Sequence, residues 1–98
     1  MNISILEKLV REDMKKHGYL FSKSVKDKTK VYCQTWIGDN DKSIVIIVLN
    51  SHNDYRPQQL LQYTTLAKIL IDEKYEISMR YPCTIRVTGS NDINKEIS

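Results

Sequence analysis

Asp39, Asp41, His52 and Asp54 have side chains suited to moving a proton or holding a divalent cation, and they lie close together in the chain. They bracket the apolar run 44–49, two before it and two after. Converging at one end of a sheet, they would make a metal or acid–base site, since hard cations and water activation both want clustered carboxylates. Asp beside Asn and Gly also serves a plainer end, and Gly38-Asp39-Asn40-Asp41 is a turn signal in its own right. Nucleophile signatures built on Ser or Cys are absent. Gly18, Gly38 and Gly89 stand singly, each at an element boundary, so the sequence has no phosphate-cradling loop. Cys33 and Cys83 lack CxxC or His spacing, which reads as two free thiols in a reducing cytosol, with a bridge between neighbouring strands as the alternative. No catalytic residue, metal or cofactor is expected.

A second chemistry is electrostatic. Positions 14–30 contain Lys15, Lys16, Lys23, Lys26, Lys28 and Lys30 against Asp27 alone, and the whole chain carries +3. Lys23, Lys26, Lys28 and Lys30, on a hairpin beside a helix end, would reach phosphates, so nucleic acid is one partner this pattern allows. The same lysines on an edge hairpin would also keep strands from aggregating. A third chemistry is contact. Alternation over 30–37 puts Val31, Cys33 and Ile37 on one face and Tyr32, Gln34 and Trp36 on the other. Aromatics beside an apolar row are what protein interfaces use as anchors. Tyr32, Gln34 and Trp36 are therefore the candidate interface, for another protein or for a second copy in a homodimer. Coverage by the C-terminal strand or tail is the alternative.

The element that must position these groups is the run 44–49. Five of its six residues, Ile44, Val45, Ile46, Ile47 and Val48, are β-branched. It reads as a strand with two apolar faces, both wanting cover. Before it, residues 4–17 read as an amphipathic helix, with a Ser4–Glu7 capping box, a stripe of Leu6, Leu9, Val10, Met14 and His17, and Gly18 as the stop. Strands over 19–25 and 30–37, joined by the polar 26–29, complete an antiparallel meander with 43–50 in its interior. Pro57 suits the first turn of a second helix reaching about residue 74. Its main face is Leu60, Tyr63, Ala67, Leu70 and Ile71, widened by Leu61, Leu66 and Ile69. From Tyr75 the period is two for fourteen residues: one half-buried strand, or two pieces in the same phase, with Pro82 forcing an edge or a bend.

The order α-β-β-β-α-β predicts an α+β two-layer sandwich, an antiparallel meander with two helices on one face. Residues 1–89 form the single domain and 90–98 a polar tail. No apolar run nears the ~20 residues of a membrane span. The N-terminal stretch acquires acidic residues at once and shows no small-residue cleavage site, so no signal peptide is expected. A cytoplasmic protein with no membrane partner is expected.

The element order over 4–88, with Asp39 or Asp41 ahead of the apolar strand and Gln59-Leu60-Leu61-Gln62-Tyr63 supplying Gln-x-x-x-Tyr on the next helix, resembles the core of the PD-(D/E)xK, or restriction-endonuclease-like, family. That resemblance implies Mg²⁺-dependent cleavage through a Glu-x-Lys at the strand's end. Here the strand ends in Asn50-Ser51-His52, so the resemblance implies an inactive relative. The order over 2–74 also looks like the double-stranded RNA-binding domain, whose lysine cluster at the second helix corresponds to Arg56-Pro57-Gln58-Gln59, with one base and no lysine. The expectation is a small non-enzymatic protein-binding module, an inhibitor or adaptor, whose Ile, Lys and Asn usage suits a phage or mobile-element accessory protein. The alternative is a nucleic-acid-binding or degenerate nuclease-like domain using the basic hairpin.

Overall fold

Asn2 starts the first helix. In the computed structural model, which describes residues 2–27, 29–49, 56–80, 83–92 and 95, α1 spans Ile3–Lys16. Asn2 sits in extended backbone and its Oδ1 accepts the Ser4 N–H at 2.8 Å. The cap thus lies ahead of the expected Ser4–Glu7 box, because an Asn side chain satisfies the first-turn amides as well as Ser does. Leu6, Val10 and Met14 face inward. The end is a Schellman pair: Tyr19 N–H donates to Met14 C=O and Gly18 N–H to Lys15 C=O, with Gly18 at φ 91°. His17 lies past the last turn and is exposed, not part of the apolar stripe.

Among the described residues five strands follow in one sheet: β1 (Leu20–Phe21), β2 (Tyr32–Gly38), β3 (Ser43–Val48), then, after α2 (Arg56–Asp72), β4 (Tyr75–Arg80) and β5 (Thr84–Ser90). Their spatial order is β1-β2-β3-β5-β4. β3 is central, antiparallel to β2 on one side and β5 on the other. Alternation divides its side chains. Ile44, Ile46 and Val48 join Leu6, Val10 and Met14 of α1 and Tyr63, Leu66 and Leu70 of α2 in one core, completed by Cys33, Ile85 and Val87. Val45 and Ile47 take the opposite face. Both helices therefore cover one side of the sheet, and the fold is α+β.

Three expectations need correction. β1 pairs with β2 in parallel, so the sheet is mixed and not an antiparallel meander. Leu20 N–H donates to Val31 C=O and Ser22 N–H to Cys33 C=O. Between them the chain turns at Asp27, whose Oδ1 accepts from the Thr29 N–H at 2.9 Å and its hydroxyl at 2.7 Å, and re-enters in its original direction. The basic segment is thus a crossover loop rather than a hairpin. Of the two readings of the alternation from Tyr75, the second holds: two strands in one phase, β4 and β5, paired antiparallel, with Cys83 at φ 42° in the turn; Pro82 lies outside the described residues. On α2, Leu60, Leu61 and Ile71 are exposed, and Tyr63, Leu66, Ala67 and Leu70 make the buried face. Apolar residues lie on several sides of that helix among the polar ones, so its periodicity does not fix its phase. Cys33 and Cys83 are both free thiols. Among the described residues no helix is long and apolar enough to cross a membrane.

Candidate protein-binding face

The face of the sheet away from the helices carries the even positions of β2 and the odd positions of β3. Register sets Trp36 opposite Val45 and Gln34 opposite Ile47, and on the far side Val45 opposite Arg86. Trp36 stands 44 % exposed, Gln34 is half-buried and Tyr32 is buried. The three candidate interface residues thus share the helix-free face, and Trp36 is the one that projects into solvent. Gly38 permits this packing. A Cβ there would come within 2.8 Å of Val45 Cγ2 and 3.8 Å of Trp36 Nε1, so glycine lets both side chains close over the end of β2.

Arg86 is tied into the same face. Its Nε donates to Asp39 Oδ2 at 2.8 Å, and the Ser43 hydroxyl donates to the same oxygen. Hydrogen bonds from Ser43 and then Arg86 hold the Asp39 carboxyl below its ordinary value. Asp39, Asn40 and Asp41 have φ of 54°, 56° and 64°, a left-handed turn that short polar side chains tolerate. Asp39 is therefore a turn residue and an anchor for Arg86. Asp41 is exposed, and His52 and Asp54 lie outside the described residues. Among the described residues no three His, Cys, Asp or Glu side chains gather as metal ligands would. The Tyr of Gln-x-x-x-Tyr has a structural use: the buried Tyr63 hydroxyl accepts the Val48 N–H at 2.8 Å, just beyond the β3–β5 ladder, and desolvation pushes its phenol up.

Lys23, Lys26 and Lys30 are exposed on the crossover loop, and Lys28 lies outside the described residues. Lys23 lines an open groove with Arg11, Phe21, Gln34, Thr35 and Trp36. Lys26 lines the adjoining one with Arg11, Lys15, Phe21 and Tyr32. The basic loop and the aromatic face, separate in the sequence reading, therefore meet at the edge of β2. Arg11 lies 4.4 Å from the Phe21 ring centre and Lys15 5.9 Å, so cations of α1 cover the short β1. Arg86 was legible only as a wet-side residue; the insertion of β5 beside β3 is what brings it to Val45.

A polar cluster that sequence reasoning missed lies on the opposite side of the molecule's core. Asp13 is 5 % exposed. Its Oδ2 accepts from the Tyr75 hydroxyl and, at 2.8 Å, from Lys95 Nζ, while Lys16 Nζ lies 3.4 Å from Oδ1. Lys95 also reaches Glu73 Oε2 at 3.2 Å and sits 4.2 Å from the Tyr75 ring centre. His17 Nε2 meets Glu73 Oε1 at 3.2 Å. Desolvation pulls the Asp13 carboxyl up, but hydrogen bonds from Lys95 and Tyr75 with the Lys95 charge outweigh it and hold the group low. Desolvation pulls Lys95 down, and its bonds to Asp13 and Glu73 more than offset that. Burial and the Asp13 bond push Tyr75 far up. The signal was an acid three residues after Val10, on the apolar stripe of α1. Lys95, in the stretch read as a tail, is thereby joined to Asp13 of α1 and to Glu73 just past α2.

The chain matches no family model, no curated protein and no solved structure.

Proposed function

We propose that this protein acts without catalysis, by binding another protein through the helix-free sheet face centred on Trp36, as an adaptor or inhibitor. The observation that carries the reading is the 44 % exposed Trp36 beside Val45, Ile47 and Arg86. Interface hot spots are enriched in Trp, Tyr and Arg around an apolar centre. A buried Trp covers up to ~250 Å², so roughly 110 Å² remains to be buried, about 2.7 kcal/mol or a factor of about 100 in Kd. A self-dimer is one form of the same reading, and sedimentation velocity distinguishes it.

The experiment compares wild type with Trp36→Ala and Gln34→Ala, by sedimentation velocity, by capture on the immobilised chain and by thermal melts. The expected result is loss of association in Trp36→Ala with a monomer stability within about 1 kcal/mol of wild type, as for other surface changes. A wild type that stays monomeric, captures nothing and loses several kcal/mol on Trp36→Ala would sink the reading. Binding of nucleic acid in place of protein, weakening steeply with salt and lost in Lys23→Glu with Lys26→Glu, would replace it with the phosphate-contact alternative.

A further inference from the structure

Past Cys33 the sheet has an open side. Leu49 N–H donates to Tyr32 C=O, which fixes the phase of the β2–β3 ladder. Even-numbered residues of β2 aim their backbone groups at β3, and odd-numbered ones aim them away. Cys33 agrees, since its C=O accepts from Ser22 on the β1 side. β1 stops at Phe21, so Thr35 and Ile37 turn their N–H and C=O groups outward, with no strand beside them among the described residues. The stretch 35–38 contains no proline, no charge and no bulge, the usual devices that close an edge to pairing.

Cations gather on the outer side of this edge. Arg11 and Lys23 line the groove that borders it at Thr35 and Trp36, Lys15 and Lys26 line the adjoining groove beside β1 and Tyr32, and no carboxylate is among the described residues lining either. Phe21 and Trp36 supply apolar area in the same groove. Glu7 reaches Thr35 from α1, Oε2 to Oγ1 at 3.4 Å, on the helix side. Resting on the reading of the Trp36 face as a protein-binding surface, we propose that the 35–38 edge takes up an extended, acidic segment of the partner protein as an added strand. Backbone bonds to Thr35 and Ile37 supply the pairing. Alternate side chains of the segment lie on Trp36 or carry carboxylates to the cations. A second copy is the poorer occupant, because edge-to-edge pairing would set two Arg11–Lys23 clusters side by side in a chain already at +3.

The test titrates the full ¹⁵N-labelled chain with three probes: a capped peptide alternating glutamate and valine, its lysine–valine counterpart, and a single-stranded DNA oligonucleotide. The glutamate peptide is expected to bind saturably, to shift Trp36 fluorescence and to slow amide exchange at Thr35 and Ile37, while the lysine peptide does not bind. Lys23→Glu with Lys26→Glu is expected to weaken the complex about tenfold or more. Thr35→Pro, whose lost N–H takes no part in the β2–β3 ladder, is expected to abolish it. If Thr35→Pro lowers the melting temperature, the lysine pair and the Ile37 exchange rate decide. The proposal is overturned if the glutamate peptide fails to bind, if the lysine peptide binds as well, if the two amides exchange unchanged at saturation, or if only the oligonucleotide binds. Loss of protein association in Trp36→Ala with no effect at the edge amides removes the added strand and keeps the face; loss of neither removes both.

Discussion

Replacing Ile46 by Ala, and separately Ile47 by Ala, tests which side of β3 holds the fold together. Ile46 is 0 % exposed and belongs to the core between the helices and the sheet. Removing three carbons forfeits about 2.4 kcal/mol of transfer free energy at ~0.8 kcal/mol per methylene. A void of roughly 80 Å³ adds about 1.9 kcal/mol where the surroundings hold their positions. Partial collapse brings the sum to about 3–4 kcal/mol, out of the roughly 5–15 kcal/mol a domain has in total. At about 4–8 °C per kcal/mol for a chain of this length, the melting temperature falls by some 12–30 °C. Ile47 is half-buried on the open face, so its truncation encloses no void and costs about 1 kcal/mol. Urea denaturation followed by far-UV circular dichroism and by the single tryptophan's fluorescence measures both. Equal losses in the two variants, or under about 1 kcal/mol for Ile46→Ala, would refute the division of β3 into a helix side and an open side.

The Asp13 cluster makes stability depend on pH at both ends. Asp13 is held low, so its contribution is complete above about pH 4, its unfolded value, and drains as the pH falls through the folded one. Lys95 is raised, so its contribution is complete below about pH 10.4 and is lost as the pH rises through its folded value. Asp13→Asn should flatten the acid limb of melting temperature against pH, and an unchanged limb would remove Asp13 from that account. Lys95→Ala should cost about 1–3 kcal/mol near neutral pH, by leaving the buried carboxylate short of a donor, as read from urea melts. For the thiols, an aromatic disulfide reagent should label Cys83 in the native protein and reach Cys33 only on unfolding. Cys33 is fully buried and desolvation pushes it up to about 12. Equal labelling rates at the two positions would contradict that burial.

The β-branched run and the alternation of 31–37 were legible because each is a local pattern with one geometric solution. They placed β3 at the centre and Trp36 on the side of β2 opposite Cys33. The parallel pairing of β1 was not legible, since a hairpin and a crossover impose the same alternation on Leu20, Phe21 and the residues of β2. The place of β5 was hidden for a similar reason: Ile77, Ile85 and Val87 keep one phase whether the chain runs straight or doubles back. Only packing between distant segments decides, and that packing carries Arg86 to Val45 and Asp39. The exposure of Leu61 escaped because α2 offers apolar residues on several sides. Asp13 could have been questioned from its position on an apolar stripe, but Lys95, its partner, lies in a polar stretch with no periodicity to mark it.

The sheet is not assembled in the order in which its strands are made. β5 is the last strand in the chain, yet it lies between β3 and β4. At a synthesis rate of about 5–20 residues per second, β3 leaves the ribosome seconds before the strand that pairs with its second edge. During that interval Ile44 and Ile46 have β2 on one side and no strand on the other, and β4 has no strand beside it, because it joins the sheet only through β5. A nascent chain in this state holds a β-branched edge open, the kind of surface that chaperones cover. Residues 84–90 close it by taking the place between two strands already made.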